Sequence, residues 1–412
     1  MKTYCKPAQI NICDPECISK DVHLAFAGQK LGKMDFVRLL AAGSNLTEDE
    51  IAADYANSDL TRISGAIDEL CAVMANDIAT GDLHLQPIRQ FRRKDGLTGK
   101  VRTLSKESAR QQVYEYIAVG ALMPLFKAKF LPCQHGSVPG RGQERGKRQI
   151  ERILRQKHKG VPCAIKCDIR HAYQSVTVSC VMRLLRRDIG KNKPLLRFLQ
   201  ALMSNYPGGV LVIGGYLSTW LFNYVMSYFL RKLTACGQVR RGKRKRFVIA
   251  CVCYADDFAV FGHMSQLIRG IKSTARWAAQ ALGLHVKQAW AITIFEDFKT
   301  ERARKGKRGT RGRCHGLDMM GFVITPTHTA IRGRIFKRIR RQFIRAARDL
   351  ETLHYIPWWR AQRIVSYYGW IVGSDSRRFR QKYGVDAIMR ATRKSAGQFA
   401  ARLSREAVQC SI

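Results

Sequence analysis

Two adjacent acids interrupt an apolar stretch in CVCYADDFAV, where Asp256 and Asp257 stand between two runs of strand-forming residues. A carboxylate buried without a partner is costly, so the pair asks for a counter-charge. A third acid, Asp168, follows the apolar run of CAIKCDIRHAY, 88 residues before Asp256. Carboxylates set at strand ends suit Mg²⁺, which takes oxygen ligands, keeps several waters and accepts one or two carboxylates together with substrate phosphates. Two such ions about 3.5–4 Å apart stabilise both the attacking and the leaving oxygen of a phosphoryl transfer. The competing reading is a solvated turn, because Asp is common in turns.

The elements that must carry these acids follow from the pattern around them. FVIACVCYADDFAVFG reads as strand, tight turn and strand, and CAIKCDIRHAY as a strand that runs into Asp168. Residues 86–105, QPIRQFRRKDGLTGKVRTLS, read as two strands about a Lys-Asp-Gly loop. Val113, Ile117, Leu122 and Leu125 give residues 109–131 a helical period. The Gly- and Arg-rich stretch PCQHGSVPGRGQERGKRQ is expected to be a loop. Residues 1–80 carry short helical patterns, and LTEDEIAADYA places Thr47 three residues before Glu50, a capping-box start. From Ile335 onward, Phe336, Ile339, Phe343, Ala347 and Leu350 form one helical stripe. Arg334, Arg338, Arg341, Arg345 and Arg348 form another, so this helix has one face for a core and one for phosphates. Residues 299–313 are basic, contain Gly and lack an apolar period, which predicts a mobile loop.

The stretch Phe198–Leu230 has no charged residue, and its length would allow a membrane helix. Asn205, Pro207, Gly208, Gly209, Gly214, Gly215 and Asn223 punctuate it, which predicts a turn, a Gly-Gly loop and a buried helix instead.

The 412 residues include 72 Lys plus Arg against 31 Asp plus Glu, a formal charge of +41. Such a surplus repels itself unless an anion binds, nucleic acid being the first expectation and an anionic membrane the second. Hydrophobic residues make up 46%, enough for a sizeable core. Thirteen cysteines at irregular spacing, an odd number, argue for reduced thiols and a cytoplasmic setting. The start MKTYCKPAQI shows no basic-then-apolar signal segment. Cys13 with Cys17 and Cys163 with Cys167 have zinc-like spacing, but no second pair completes a finger, so zinc is not expected.

YADD on such a hairpin resembles the catalytic signature of bacterial reverse transcriptases, and other segments follow in that family's order. CDIRHAY resembles the first catalytic strand, IGGYLSTWLFN the Gly-containing start of a palm helix, and KDGLTGKVRTL the fingers strands. LPCQHGSVPGRG resembles the loop that follows the fingers, LGLHV and GLDMMGFVI the end of the palm, and SYYGWIVGSDSRRF the thumb. The resemblance implies an α+β right-hand polymerase with fingers, an antiparallel palm and a helical thumb. It places a helical region at 1–80, fingers and palm at 81–330, and thumb and tail at 331–412. Asp168, Asp256 and Asp257 are then the catalytic acids, with the Ile169 carbonyl completing the shell of two Mg²⁺ ions, Mn²⁺ being an alternative. Arg93 and Arg102 would contact the triphosphate, Tyr173 would lie under the sugar, and Gly214 and Gly215 would let template and nucleotide approach. Lys299, Arg302, Arg304, Lys305, Lys307, Arg308, Arg311 and Arg313, with Arg334, Arg338, Arg341 and Arg345, are the expected nucleic-acid contacts.

Departures narrow the resemblance. Ile213 and Thr219 stand where group II intron proteins carry Gln and Pro, and an aliphatic residue there is similar to defence-associated, abortive-infection and diversity-generating types. KQAWAI replaces the usual Lys-Thr pair, leaving Lys287 as the candidate proton donor to pyrophosphate. The expected function is RNA-directed DNA synthesis from dNTPs, copying a structured non-coding RNA into cDNA, in antiphage defence and without a membrane. Alternatives are a diversity-generating retroelement enzyme and a non-catalytic RNA-binding module on the same scaffold.

Overall fold

A computed structural model describes residues 4–28, 30–94, 99, 101–156, 161–295 and 316–409. The chain opens with helices α1 (Pro15–Phe26), α2 (Met34–Ala42), α3 (Glu48–Ala56) and α4 (Leu60–Thr80), then strands β1 (Arg89–Lys94) and β2 (Val101–Lys106). Helices α5 (Ala109–Lys129) and α6 (Gln143–Gln156) precede β3 (Cys163–Arg170), followed by α7 (Val178–Ile189), α8 (Lys193–Ser204) and α9 (Tyr216–Ala235). Next come β4 (Gly237–Arg240), β5 (Lys243–Arg246), β6 (Ala250–Tyr254), β7 (Asp257–Gly262), α10 (Met264–Leu282), β8 (His285–Val286) and β9 (Ala291–Ile294). The last described elements are β10 (Leu317–Met319), β11 (Phe322–Ile324), β12 (Thr329–Ile331), α11 (Gly333–Leu353), α12 (Trp358–Val372), α13 (Arg377–Lys382) and α14 (Val385–Gln409).

Two compact units are each assembled from three stretches of chain. The first takes Met1–Val138, Asp168–Cys236 and Gly270–Gln288, and the second Pro139–Cys167, Gly237–Arg269 and Ala289–Ile412. The boundary falls inside β3, so Asp168 is counted with the first unit and Asp256 and Asp257 with the second.

The first unit is mostly helical. Thr47 and Glu50 form the expected capping box at α3: the Thr47 hydroxyl accepts from the Glu50 N–H, and the Glu50 carboxylate accepts from the Thr47 N–H. Helix α5 packs against α1, α2, α8 and α9. It is buried nearly all round, at Val113, Tyr114, Ile117, Leu122 and Leu125 among others, as a helix enclosed by others must be. The charge-free stretch resolves into the end of α8, a short 3-10 turn at Pro207–Gly209 and α9. Trp220 and Tyr224 of α9 meet Phe126 of α5 at ring distances of 5.3 and 6.2 Å. Among the described residues no helix is long and apolar enough to cross a membrane.

In the second unit the stretch expected as a loop departs from that expectation: it becomes helix α6 from Gln143. Gly146, Lys147, Ile150, Ile153 and Leu154 are buried along it. That three-and-four spacing is a helical face which Gly and Arg at neighbouring positions disguise. Ile150 and Leu154 join one core with Val252, Ala259 and Phe261 of the β6–β7 hairpin, Leu317, Met319, Phe322 and Ile324 of β10–β11, and Ile339, Phe343 and Ala346 of α11. β10, β11 and β12 form an antiparallel three-stranded sheet. β9 pairs antiparallel with β3 from Cys163↔Ile294 to Lys166↔Ala291. The class is α+β with antiparallel sheets. Each fully buried Val or Phe of the hairpin contributes roughly 1.5–3 kcal/mol, which anchors the turn that joins β6 to β7.

Candidate active site

In the second unit, β6 and β7 pair in the register Tyr254↔Asp257, so Ala255 and Asp256 are the two turn residues. Ala255 has φ +53°. Two-residue β-turns that match strand twist need a positive φ at their first position, and a side chain there costs roughly 1–2 kcal/mol. The buried residues on either side, Val252, Cys253, Phe258 and Ala259, hold the turn against that cost. Asp256 and Asp257 are half-buried at its tip. The ammonium of Lys166 lies 3.4 Å from the Asp257 carboxylate. Alternation along β3 buries Ile165, Cys167 and Ile169 on one face and turns Lys166, Asp168 and Arg170 to the other.

In the first unit Asp168 meets Lys287 twice. The Lys287 backbone N–H donates to the Asp168 carbonyl at 2.9 Å, and its ammonium donates to Oδ2. The other carboxylate oxygen, Oδ1, is shielded from solvent and has no hydrogen-bond partner. A buried acceptor left over in this way is rare, and an oxygen so placed fits a divalent cation, which takes oxygen ligands. β8 pairs with β3 at Ile169↔Val286. Since the neighbouring Asp168 carbonyl is the one bonded to β8, the Ile169 carbonyl points away from β8. His171, just past β3, has φ +47°, so both strand ends that carry acids turn sharply. Tyr173 is half-buried and stacks on the fully buried Phe222 of α9, with centroids 4.9 Å apart.

Gly214 has φ +111°, and a Cβ there would lie 2.9 Å from the Ser105 carbonyl. The Ser105 N–H donates to Ile213 at 2.9 Å, so this loop runs directly along β2. A Cβ on Gly215 would meet Glu107 Oε1 at 2.6 Å and Val212 Cγ2 at 2.8 Å. The protein itself fills the space both glycines leave. Beneath them lie two buried acids. Glu115 accepts from the Leu217 N–H at 2.8 Å and from the Tyr206 hydroxyl at 2.7 Å. Burial, then the charge of Glu115, pushes the Glu107 carboxyl up to about 9, and burial pushes Glu115 up as well.

Arg93 and Arg102 are directly opposite each other in the β1–β2 register, and both are exposed. Like charges placed opposite on a strand pair are destabilising unless an anion lies on them. On α11, Arg334, Arg341 and Arg345 are exposed and Arg338 is half-buried, while Ile339, Phe343 and Ala346 are buried. Lys299, Arg302, Arg304, Lys305, Lys307, Arg308, Arg311 and Arg313 lie outside the described residues. Asn223 of α9 donates from its amide to the Gly136 carbonyl at 3.0 Å. Among the described residues no group of three or more His, Cys, Asp or Glu side chains is gathered that could hold a metal ion.

Sequence reasoning overlooked Lys166 and the Glu107–Glu115 pair. Lys166 had a signal: a lone cation in an apolar strand, two residues before Asp168 and therefore on its face. The acid pair had none, because Glu107 and Glu115 look like ordinary polar residues of a strand end and a helix.

A family model described as Reverse transcriptase (RNA-dependent DNA polymerase) matches residues 92–290. That span takes in Arg93, Arg102, Asp168, Tyr173, Gly214, Gly215, Asp256, Asp257 and Lys287. No curated protein matches the chain. Acids on strand ends, paired arginines on the first strands and the order of segments between them agree with this match: residues 92–290 are a reverse transcriptase domain, and the activity it indicates is RNA-directed DNA synthesis.

Proposed function

We propose that this polymerase copies a dedicated, structured non-coding RNA into cDNA in the cytoplasm, as part of a bacterial antiphage system, and that Asp168 and Asp256 hold two Mg²⁺ ions for the transfer. The observation that carries the site assignment is the shielded, unpartnered Oδ1 of Asp168. When bound, the two ions would stabilise the attacking and leaving oxygens. The primer 3′-hydroxyl loses its proton to solvent as its oxygen bonds to the α-phosphorus of the dNTP; the bond from the α-phosphorus to the bridging oxygen breaks, and pyrophosphate leaves with that oxygen.

The chain's own residues bind and orient around that event. Asp257, tied to Lys166, supports the turn and balances its charge rather than acting as the main ligand. The Ile169 carbonyl adds an oxygen. Arg93 and Arg102, opposed on β1 and β2, clamp the triphosphate. Tyr173, held against Phe222, lies under the sugar and rejects a 2′-hydroxyl. Lys287, already bonded to Asp168, supplies a proton to the departing pyrophosphate. The net charge of +41 supports a long polyanion as partner. The defence setting rests on the resemblance carried by Ile213 and Thr219.

The test is extension of a primed template by purified protein. Asp168→Asn and Asp256→Asn should each abolish measurable incorporation, a fall on the order of 10²–10³-fold as for loss of one electrostatic contribution to catalysis, while RNA binding and melting temperature stay near wild type. Substantial residual synthesis by either variant removes that residue from the site.

A further inference from the structure

Between α9 and β6 the chain forms a small two-stranded ribbon, β4–β5, with the register Gly237↔Arg246, Gln238↔Lys245, Val239↔Arg244 and Arg240↔Lys243. Its turn residues, Arg241 and Gly242, both have positive φ, +49° and +73°. That is the tight turn whose twist matches the strands it joins, so the ribbon is a defined element. Arg241, Lys243, Arg244, Lys245 and Arg246 are all exposed. Residues 231–255 contain no Asp or Glu, so the segment supplies no counter-charge of its own. Lysines on an edge strand can serve only to block aggregation, but here Val239 is the sole large apolar side chain exposed on the ribbon. Five cations are more than that task needs.

We infer that the β4–β5 ribbon is a binding site for base-paired RNA. Successive side chains of a strand point to opposite faces. Lys243 and Lys245 therefore occupy one face of β5, and Arg244 and Arg246 the other. Cations on both faces can meet phosphates on either side of the ribbon, and base-paired RNA is held mainly through its phosphates and 2′-hydroxyls rather than by its base edges. Unpaired RNA is gripped through aromatic platforms on which bases stack, and β4 and β5 carry no aromatic residue. The ribbon's root continues the β6–β7 hairpin, where the Ile249 N–H donates to Phe261 at 2.9 Å. It joins that hairpin at the end away from the turn. The five residues of β6 alone separate the root from Ala255–Asp256 by about 17 Å. The RNA held there is a helical segment outside the nucleotide site, which adds to the reading of a structured RNA substrate.

The experiment measures binding of the full chain, in EDTA, to a 20-base-pair RNA stem-loop, an unpaired RNA of equal length, an RNA·DNA hybrid and phosphatidylserine vesicles. In Lys243→Gln/Arg244→Gln/Lys245→Gln/Arg246→Gln, stem-loop affinity should fall at least 10-fold. The slope of log affinity against log salt should become shallower by about 3–4, one counterion for each lost phosphate contact. Affinity for unpaired RNA and for the hybrid should change less than 3-fold, and extension of a short primed template should keep its rate. The pair Arg244→Gln/Arg246→Gln, with a slope change of about 2, serves if the quadruple variant folds poorly. Unchanged stem-loop binding, an equal loss on unpaired RNA or on the hybrid, or a larger loss on vesicles would overturn the assignment. Binding without metal and extension with metal are separate readouts, so a failure here is distinguishable from a failure of the carboxylate site.

Discussion

At the scale of single residues, the acids are poised by neighbours that the folded chain brings beside them. Asp168 shares one oxygen with Lys287 and keeps the other unpartnered. Asp257 lies beside Lys166. Tyr173 stacks on Phe222. A ring so supported has one face against the core, and stacked pairs contribute about 0.5–1.5 kcal/mol beyond burial. If its open edge meets the sugar, Tyr173→Ala makes room for a 2′-hydroxyl. The ratio of ribonucleotide to deoxyribonucleotide incorporation should rise about 10-fold or more, a change of at least ~1.4 kcal/mol in discrimination. Competition assays with matched rNTP and dNTP measure it. An unchanged ratio in an active variant would assign Tyr173 to packing alone.

At the scale of elements, the Gly-Gly loop that begins α9 is braced from below by β2 and α5. Ser105 bonds the loop, Glu107 fills the space beside Gly215, and Glu115 accepts from the first turn of α9. Glu107 binds its proton up to about pH 9 in the folded chain because of burial and Glu115, whereas an unfolded Glu releases it near pH 4.3. Between those values the folded state carries a proton that the unfolded state lacks. Stability therefore falls as pH rises through that window, by up to about 1.4 kcal/mol per unit for one group. Glu107→Gln keeps the shape and removes the titration. Its melting temperature should exceed wild type at pH 8 by several degrees and differ little at pH 5. Parallel pH profiles for the two proteins would show that Glu107 does not carry the dependence.

For the whole molecule, the excess of 41 positive charges sets the behaviour toward polyanions. Neutralising 6–10 phosphates would weaken RNA binding by roughly 10³–10⁵ between 50 and 200 mM salt. Steep salt dependence alone does not separate one RNA from any RNA. The dedicated-template reading predicts that the protein purified from its host carries one abundant structured RNA, and that the cDNA it makes maps to a defined part of it. Sequencing both nucleic acids checks this. A random RNA population, with equal activity on any primed template, would leave the charge as a general duplex grip. Replacing the eight basic residues from Lys299 to Arg313 by Ser should weaken RNA retention more than it raises the KM for dNTP.

The sequence by itself determined the local elements and the chemistry they carry. The YADD turn, the strand into Asp168, the paired strands β1 and β2 and the amphipathic α11 follow from period-two or period-3.6 patterns, which short-range sterics and burial enforce. Arg93 and Arg102 could be singled out by type, yet only strand register decided that they face one another. Helix α6 escaped because its buried stripe is written in Gly, Lys and a few aliphatics among arginines. The β4–β5 ribbon escaped because β5 is exposed throughout and carries no hydrophobic alternation. Glu107 and Glu115 lie eight positions apart in chain, and only packing under α9 buries them together and moves their protons. Partners such as Lys166 for Asp257 and Lys287 for Asp168 were likewise decided by tertiary structure. Pairing energy depends on distance and desolvation, and neither is written in the order of residues.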